Sequence, residues 1–80
     1  MNLYYLSQDD NRDYDTYSDC VVAAESEEAA RVINPGGSDQ WDDPRTSNWA
    51  RKPEFVKVKL IGVAIEGTKA GVICASYHAG

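Results

Sequence analysis

The sequence predicts a small α+β domain, a mostly antiparallel sheet of four to five strands with one short helix packed on it. Three observations carry this. Four segments show the apolar alternation or β-branched content of strands. One segment, after Ser26, has the caps and charge order of a helix. The 80 residues of the chain suit one domain, and a chain of this size buries only roughly 60% of its unfolded surface.

Leu3 to Leu6 is the first strand. Leu3 and Tyr5 share one face, Tyr4 and Leu6 the other. Both faces are apolar or amphipathic, which suits a central strand or a covered edge. Tyr17 to Ala24 is the second, centred on Val21 and Val22. Ser26 is placed to cap a helix, with Glu27 and Glu28 in its first turn, where the helix dipole favours negative charge. Ala29, Val32 and Ile33 form its apolar stripe. Asn34-Pro35-Gly36-Gly37 ends it. Two turns of helix are too few to stand alone, so this one must lie on the sheet.

Residues 36–53, GGSDQWDDPRTSNWARKP, show neither period. So long an irregular loop in a small domain is often functional. Trp41 and Trp49 are expected to fold it back onto the body. Phe55 to Ile65 is the clearest strand: Val56, Val58 and Leu60 face one way, Lys57 and Lys59 the other. The phase slips after Leu60, which predicts a bulge near Gly62. Residues 66–71 form a connection, and Val72 to His78 is the last strand. Its nearness in sequence predicts a hairpin with 55–61.

No apolar run approaches the ~20 residues of a membrane helix. The start, MNLYYLSQDD, lacks a basic region followed by a long apolar stretch and so does not read as a signal peptide. The expected location is the cytoplasm. There Cys20 and Cys74 are expected as two buried, reduced residues.

The net charge of −5 is unevenly spread. Residues 1–43 hold eleven acids and two bases, a charge of −9; residues 44–80 hold six bases and two acids, a charge of +4. Direct DNA binding draws its affinity from cationic contacts to phosphate and is not expected of such a chain. The acidic half favours a basic partner or simply solubility. Arg45, Arg51, Lys52, Lys57 and Lys59 are expected to balance the acidic half within the fold or in self-association, with contact to nucleic acid or RNA of a complex as the alternative. A homodimer pairing an acidic patch with this basic one is one form of such self-association.

The densest charge is DDNRDYDTYSD, residues 9–19, with five aspartates. As a calcium loop it has oxygen ligands at Asp9, Asn11 and Asp13. It lacks the glycine at the sixth position (Tyr14) and the glutamate at the twelfth (Cys20). Zinc needs more ligands than Cys74, His78 and a distant Cys20 supply. Cys74 and His78 stand ~13 Å apart along a strand, too far for a nucleophile and its base; the pairing of Cys20 with His78 stays open until the strand order is known. No phosphate-binding glycine loop is present. The reading is therefore of a protein that is not an enzyme and needs no cofactor or metal. What remains is the charge. On an extended segment Asp13 and Asp15 lie ~6.6 Å apart, comparable to neighbouring phosphates of a nucleic-acid backbone. Such a row suits a groove lined with arginine and lysine, with Tyr14 and Tyr17 adding contact area.

Tyr14-Asp15-Thr16-Tyr17, Val21-Val22-Ala23-Ala24, Ser26 and Ala30-Arg31 resemble a group of small proteins encoded by bacteriophages and prophages. So does the ending, Gly71-Val72-Ile73, Ala75-Ser76-Tyr77 and Ala79-Gly80. At this size the group resembles anti-CRISPR inhibitors of type I systems. The resemblance implies binding to an RNA-guided surveillance complex in the bacterial host cytoplasm. It implies stoichiometric blocking of target DNA recruitment. Asp9, Asp10, Asp13, Tyr14 and Asp15 are the expected contacts, with Trp41, Asp42 and Asp43 as a second patch. Two other classes fit the sequence. One is a small phage protein that sequesters a nucleotide signal or regulates a host protein, the 36–53 loop closing over its ligand. The other is a virion accessory protein.

Overall fold

The structure is a computed structural model and describes residues 1–11, 16–36 and 48–78. Strands β1 (Asn2–Ser7), β2 (Thr16–Ala24), β3 (Lys57–Val63) and β4 (Gly71–His78) form one antiparallel sheet. Its order is β3-β1-β2-β4. Helix α1 (Glu27–Arg31) and a 3-10 turn at Pro53–Phe55 complete the regular elements. This is the α+β architecture the periodicities predict. Among the described residues no helix is long and apolar enough to cross a membrane.

The β1–β2 hairpin forms the middle of the sheet, with Leu3 opposite Ala23 and Leu6 opposite Cys20. Both central strands have an apolar face turned to the core, so the sheet gains most by placing them inside. The predicted hairpin between 55–61 and 72–78 does not form: β3 and β4 occupy opposite edges. Residues 64–70 must then cross three strand spacings, ~14 Å. Seven residues reach at most ~25 Å, so the crossing is geometrically easy. Each outer strand thereby pairs with an apolar inner strand. The crossover begins where Ala64 N–H donates to the Met1 carbonyl. It turns where Thr68 N–H and Oγ1 both donate to the Ile65 carbonyl. Gly67, at φ +91°, supplies the left-handed residue of that turn.

The bulge expected near Gly62 is present. Leu3 pairs with Gly62 and Tyr4 with Leu60, so Ile61 is the extra residue. The strand begins later than the alternation suggests. Pro53 starts the 3-10 turn, which carries Phe55 out to solvent before Val56 enters the core.

Ser26 caps α1: the Ala29 N–H donates to its Oγ at 3.2 Å. Of the predicted stripe Ile33 packs against the core, whereas Ala29 and Val32 do not. The helix ends at Arg31, leaving Val32 as its exposed C-cap. Ala29 is exposed, and Ala30 with Ile33 faces the sheet. The stripe presumed two turns; with little more than one, the exit of the chain rotates Val32 outward. Arg31 donates from Nη1 to the carbonyls of Pro53 and Val56, tying the helix to the start of β3.

The core joins Tyr4, Leu6, Cys20, Val22 and Ala24 from the sheet to Ala30, Trp49, Ala50 and Val56 above it. Trp49 is wholly buried, as its predicted packing role requires; Trp41 lies outside the described residues. The two cysteines part company. Cys20 is buried, whereas Cys74 is exposed, because it stands opposite Val21 on the open face of an edge strand. The expectation of two buried thiols is corrected to one.

Candidate functional site at the acidic end of the sheet

One end of the sheet carries the acidic run, and the described part of it is heavily tied down. The organising residue is Gln8, just past the end of β1 and 4% exposed. Its Nε2 donates to the carbonyls of Asn11 (2.7 Å) and Tyr17 (2.8 Å). Its Oε1 accepts from the Asn11 N–H at 2.7 Å. One amide thus replaces the ladder where the strands diverge and satisfies backbone groups on both sides of the loop.

The segment before β3 braces the same loop from outside the sheet. Asn11 Nδ2 donates to the Trp49 carbonyl at 3.2 Å, and Tyr17 N–H to the Asn48 carbonyl at 2.7 Å. With Trp49 buried, this contact is anchored in the core. The strongest brace is ionic. Arg51 donates to Asp10 three times, from its backbone N–H (2.9 Å), Nε (3.1 Å) and Nη2 (3.0 Å). These bonds hold the Asp10 carboxyl below its usual range despite its burial. The Asp10 side chain is only 15% exposed.

Asp9 differs. It is paired with Lys57 Nζ at 3.1 Å, but its side chain is 65% and that of Lys57 71% exposed. Such a pair is weak and readily exchanged. Asp19 lies on the open face of the sheet, away from the core. It accepts a bond from Tyr5 Oη at 2.7 Å, which, more than burial, raises the Tyr5 pKa.

Of the expected contact residues, the structure therefore places Asp9 at the surface and Asp10 inside an ion pair. Asp13, Tyr14, Asp15, Trp41, Asp42 and Asp43 lie outside the described residues. Tyr17 packs edge-on against Tyr77, ring centroids 4.7 Å apart. The basic stretch behaves as its charge suggests at two positions, Arg51 and Lys57, which balance acids within the fold. Sequence reasoning missed Gln8 and weighed Asn11 only as a calcium ligand, not as a brace of the loop. A glutamine before an acidic turn is an ordinary residue, and only the paths of the strands reveal its partners.

Among the described residues no group of three or more His, Cys, Asp or Glu side chains could hold a metal ion. The Nδ2 of Asn11, whose Oδ1 is the oxygen ligand of the calcium reading, donates to the Trp49 carbonyl. Burial, then the Asp19 charge, push the Cys20 thiol up to about 12, which keeps it protonated and unreactive. Cys20 and Cys74 do not face each other across β2 and β4, since Cys20 pairs with Ala75 and Val21 with Cys74. Comparison with protein-family models, with curated proteins and with solved structures returns no match.

Proposed function

We propose that this protein is a stoichiometric inhibitor of the anti-CRISPR kind, encoded by a phage or prophage. It binds a type I RNA-guided surveillance complex through acidic side chains and keeps target DNA out. The observation that supports this reading is the brace around the acidic loop. Asn11 on one side is held by Gln8 and Trp49; on the other, Thr16 is paired within the sheet and Tyr17 is bonded to Gln8 and Asn48. Asp13, Tyr14 and Asp15 belong to the four-residue span between these anchored ends. Anchored ends lower the ordering cost that a charged loop pays on binding.

The same geometry divides the acidic residues by role. Asp10 supports the loop, because its carboxylate is committed to Arg51. Asp9 is accessible and can exchange Lys57 for a cationic side chain of the partner. Asp13 and Asp15 carry the contact with the lysine- and arginine-rich path that target DNA would follow.

The test is a gel-shift assay of target DNA binding by a type I surveillance complex with added protein. The wild type should suppress the shifted band at stoichiometric concentration. Asp13→Lys with Asp15→Lys should lose that effect while keeping the wild-type melting temperature. Full inhibition by the double variant would overturn the assignment of the contact. No inhibition of any type I complex by the wild type would overturn the reading as a whole.

A further inference from the structure

The two edges of the sheet differ in how they meet solvent. An open edge invites another strand, and proteins guard such edges with charge, proline or bulges. The β3 edge is guarded: Lys57 and Lys59 lie on it, and the bulge at Ile61 breaks its line. β4, GVICASYH, contains no Asp, Glu, Lys, Arg or Pro. Every residue from Val72 to Tyr77 is exposed, with Ile73 at 52% and Tyr77 at 48%. Among the described residues no strand pairs with its outer flank.

The β4 edge is also complementary to itself. Its pairing with β2 slips twice: Ser18 is the extra residue on β2, and the slip against Val21 and Val22 makes Ile73 the extra residue on β4 itself. From Ile73 to Tyr77 the strand runs without a further residue inserted, and Ala75 is the midpoint of that run. Alternation places Ile73, Ala75 and Tyr77 on one face. It is the helix-bearing face, because Ala75 stands opposite Cys20 and Tyr77 opposite Tyr17. A two-fold axis normal to the sheet at Ala75 sets Ile73 of each copy against Tyr77 of the other. Cys74 then meets Ser76, and Ala75 meets Ala75. Large residues flank a small centre, and the outer pairs are β-branched against aromatic, a favourable cross-strand combination. Tyr77 is already oriented by its contact with Tyr17.

We propose that the β4 edge is a self-association surface, and that two copies join there antiparallel into one eight-stranded sheet with both helices on the same side. A five-residue run spans only ~17 Å, so the interface is smaller than the standard protein–protein interface. The dimer is therefore concentration-dependent, with a Kd of about micromolar or weaker. Its strand bears no charge while each copy carries −5. Salt then relieves repulsion and tightens it. A dimer built from acidic and basic patches would instead loosen in salt.

The test is sedimentation velocity of the protein alone, up to about millimolar concentration, in low and high salt. The experiment needs no surveillance complex, so its outcome is separate from that of the inhibitor reading. We expect a monomer–dimer equilibrium that tightens roughly threefold or more as salt screens the like charges. Ile73→Lys should leave monomer only, with circular dichroism confirming the fold. Ser76→Lys is the second variant on the same run, should the first not fold. Ala75→Cys in a Cys74→Ser background should give a covalent dimer with a short bis-maleimide, since the axis brings the two Cβ atoms within ~5.5 Å. Leu60→Cys in that background, on the other edge, should not. A protein monomeric at every concentration overturns the proposal. So does a dimer that survives both lysine variants or weakens with salt.

Discussion

The ion pair between Asp10 and Arg51 joins segments 41 positions apart in the chain and makes a sharp prediction about stability. Asp10→Ala removes the acceptor for three donors, two on the guanidinium and one on the backbone. Arg51→Ala removes only the two side-chain donors. Hydrogen bonds to charged groups contribute about 1.5–3 kcal/mol when sheltered. Exposed ion pairs contribute about 0.2–1 kcal/mol. Asp10 is sheltered, but the Arg51 side chain is 59% exposed, so the pair belongs between these limits. We expect Asp10→Ala to cost about 1–2 kcal/mol and Arg51→Ala about half of that. In a domain of this size 1 kcal/mol moves the melting temperature by about 4–8 °C. Thermal melts of both single variants and the double variant complete the cycle. The pH dependence gives a second check. The folded-state pKa of Asp10 is lowered. Its stabilisation is therefore whole above the unfolded value of about 3.9 and is lost as pH falls through the folded value beneath it. Wild type and Asp10→Ala should differ at pH 7 and converge in strong acid. A coupling energy under about 0.3 kcal/mol, or Arg51→Ala costing more than Asp10→Ala, would refute the account of this brace.

Four shorter predictions follow from burial and contact. Leu6 is wholly buried and Leu60 is 59% exposed; Leu6→Ala should cost about 2–5 kcal/mol and Leu60→Ala under about 0.5 kcal/mol, read by urea melts. Iodoacetamide at pH 8 should label Cys74 in the folded protein and reach Cys20 only after unfolding, as their burial requires; equal labelling rates would contradict the packing of β2. An ultraviolet pH titration should show a raised value for Tyr5 that falls in Asp19→Asn, since the Asp19 carboxylate holds the Tyr5 proton. A Cβ at Gly36 would stand 2.3–2.7 Å from the Asn48 side chain. Gly36→Ala should therefore lose about 1–3 kcal/mol, largely restored by adding Asn48→Ala, and a second substitution that restores nothing would show the cost to lie elsewhere.

Much of the local structure was written in local signals. Ser26 followed by Glu27 and Glu28 marks a helix start wherever it occurs, because the capping bond and the dipole act within one turn. The slip after Leu60 announced the bulge, since a strand whose apolar face switches must carry an extra residue. Where inference failed, a non-local choice had been made. Of the α1 stripe only Ile33 packs, because the helix stopped after Arg31. The strand of Cys74 went to the far edge beside β2, and the register there turns its thiol to the open face opposite Val21.

Composition and spacing alone determined that this chain would fold as a short sheet with one capped helix, and that its charge would divide into an acidic front and a basic rear. Those properties depend on neighbours within a few residues, or on simple sums. Only the tertiary structure decided how each carboxylate is held. Asp9 and Asp10 are adjacent and chemically identical, yet Asp10 is sheltered by Arg51 and Asp9 stands in water beside Lys57. The difference arises from where two distant segments pass one another. Strand order likewise lay beyond local reach: two edge strands compete for the same inner partners, and the winner is set by how the whole sheet covers its apolar face.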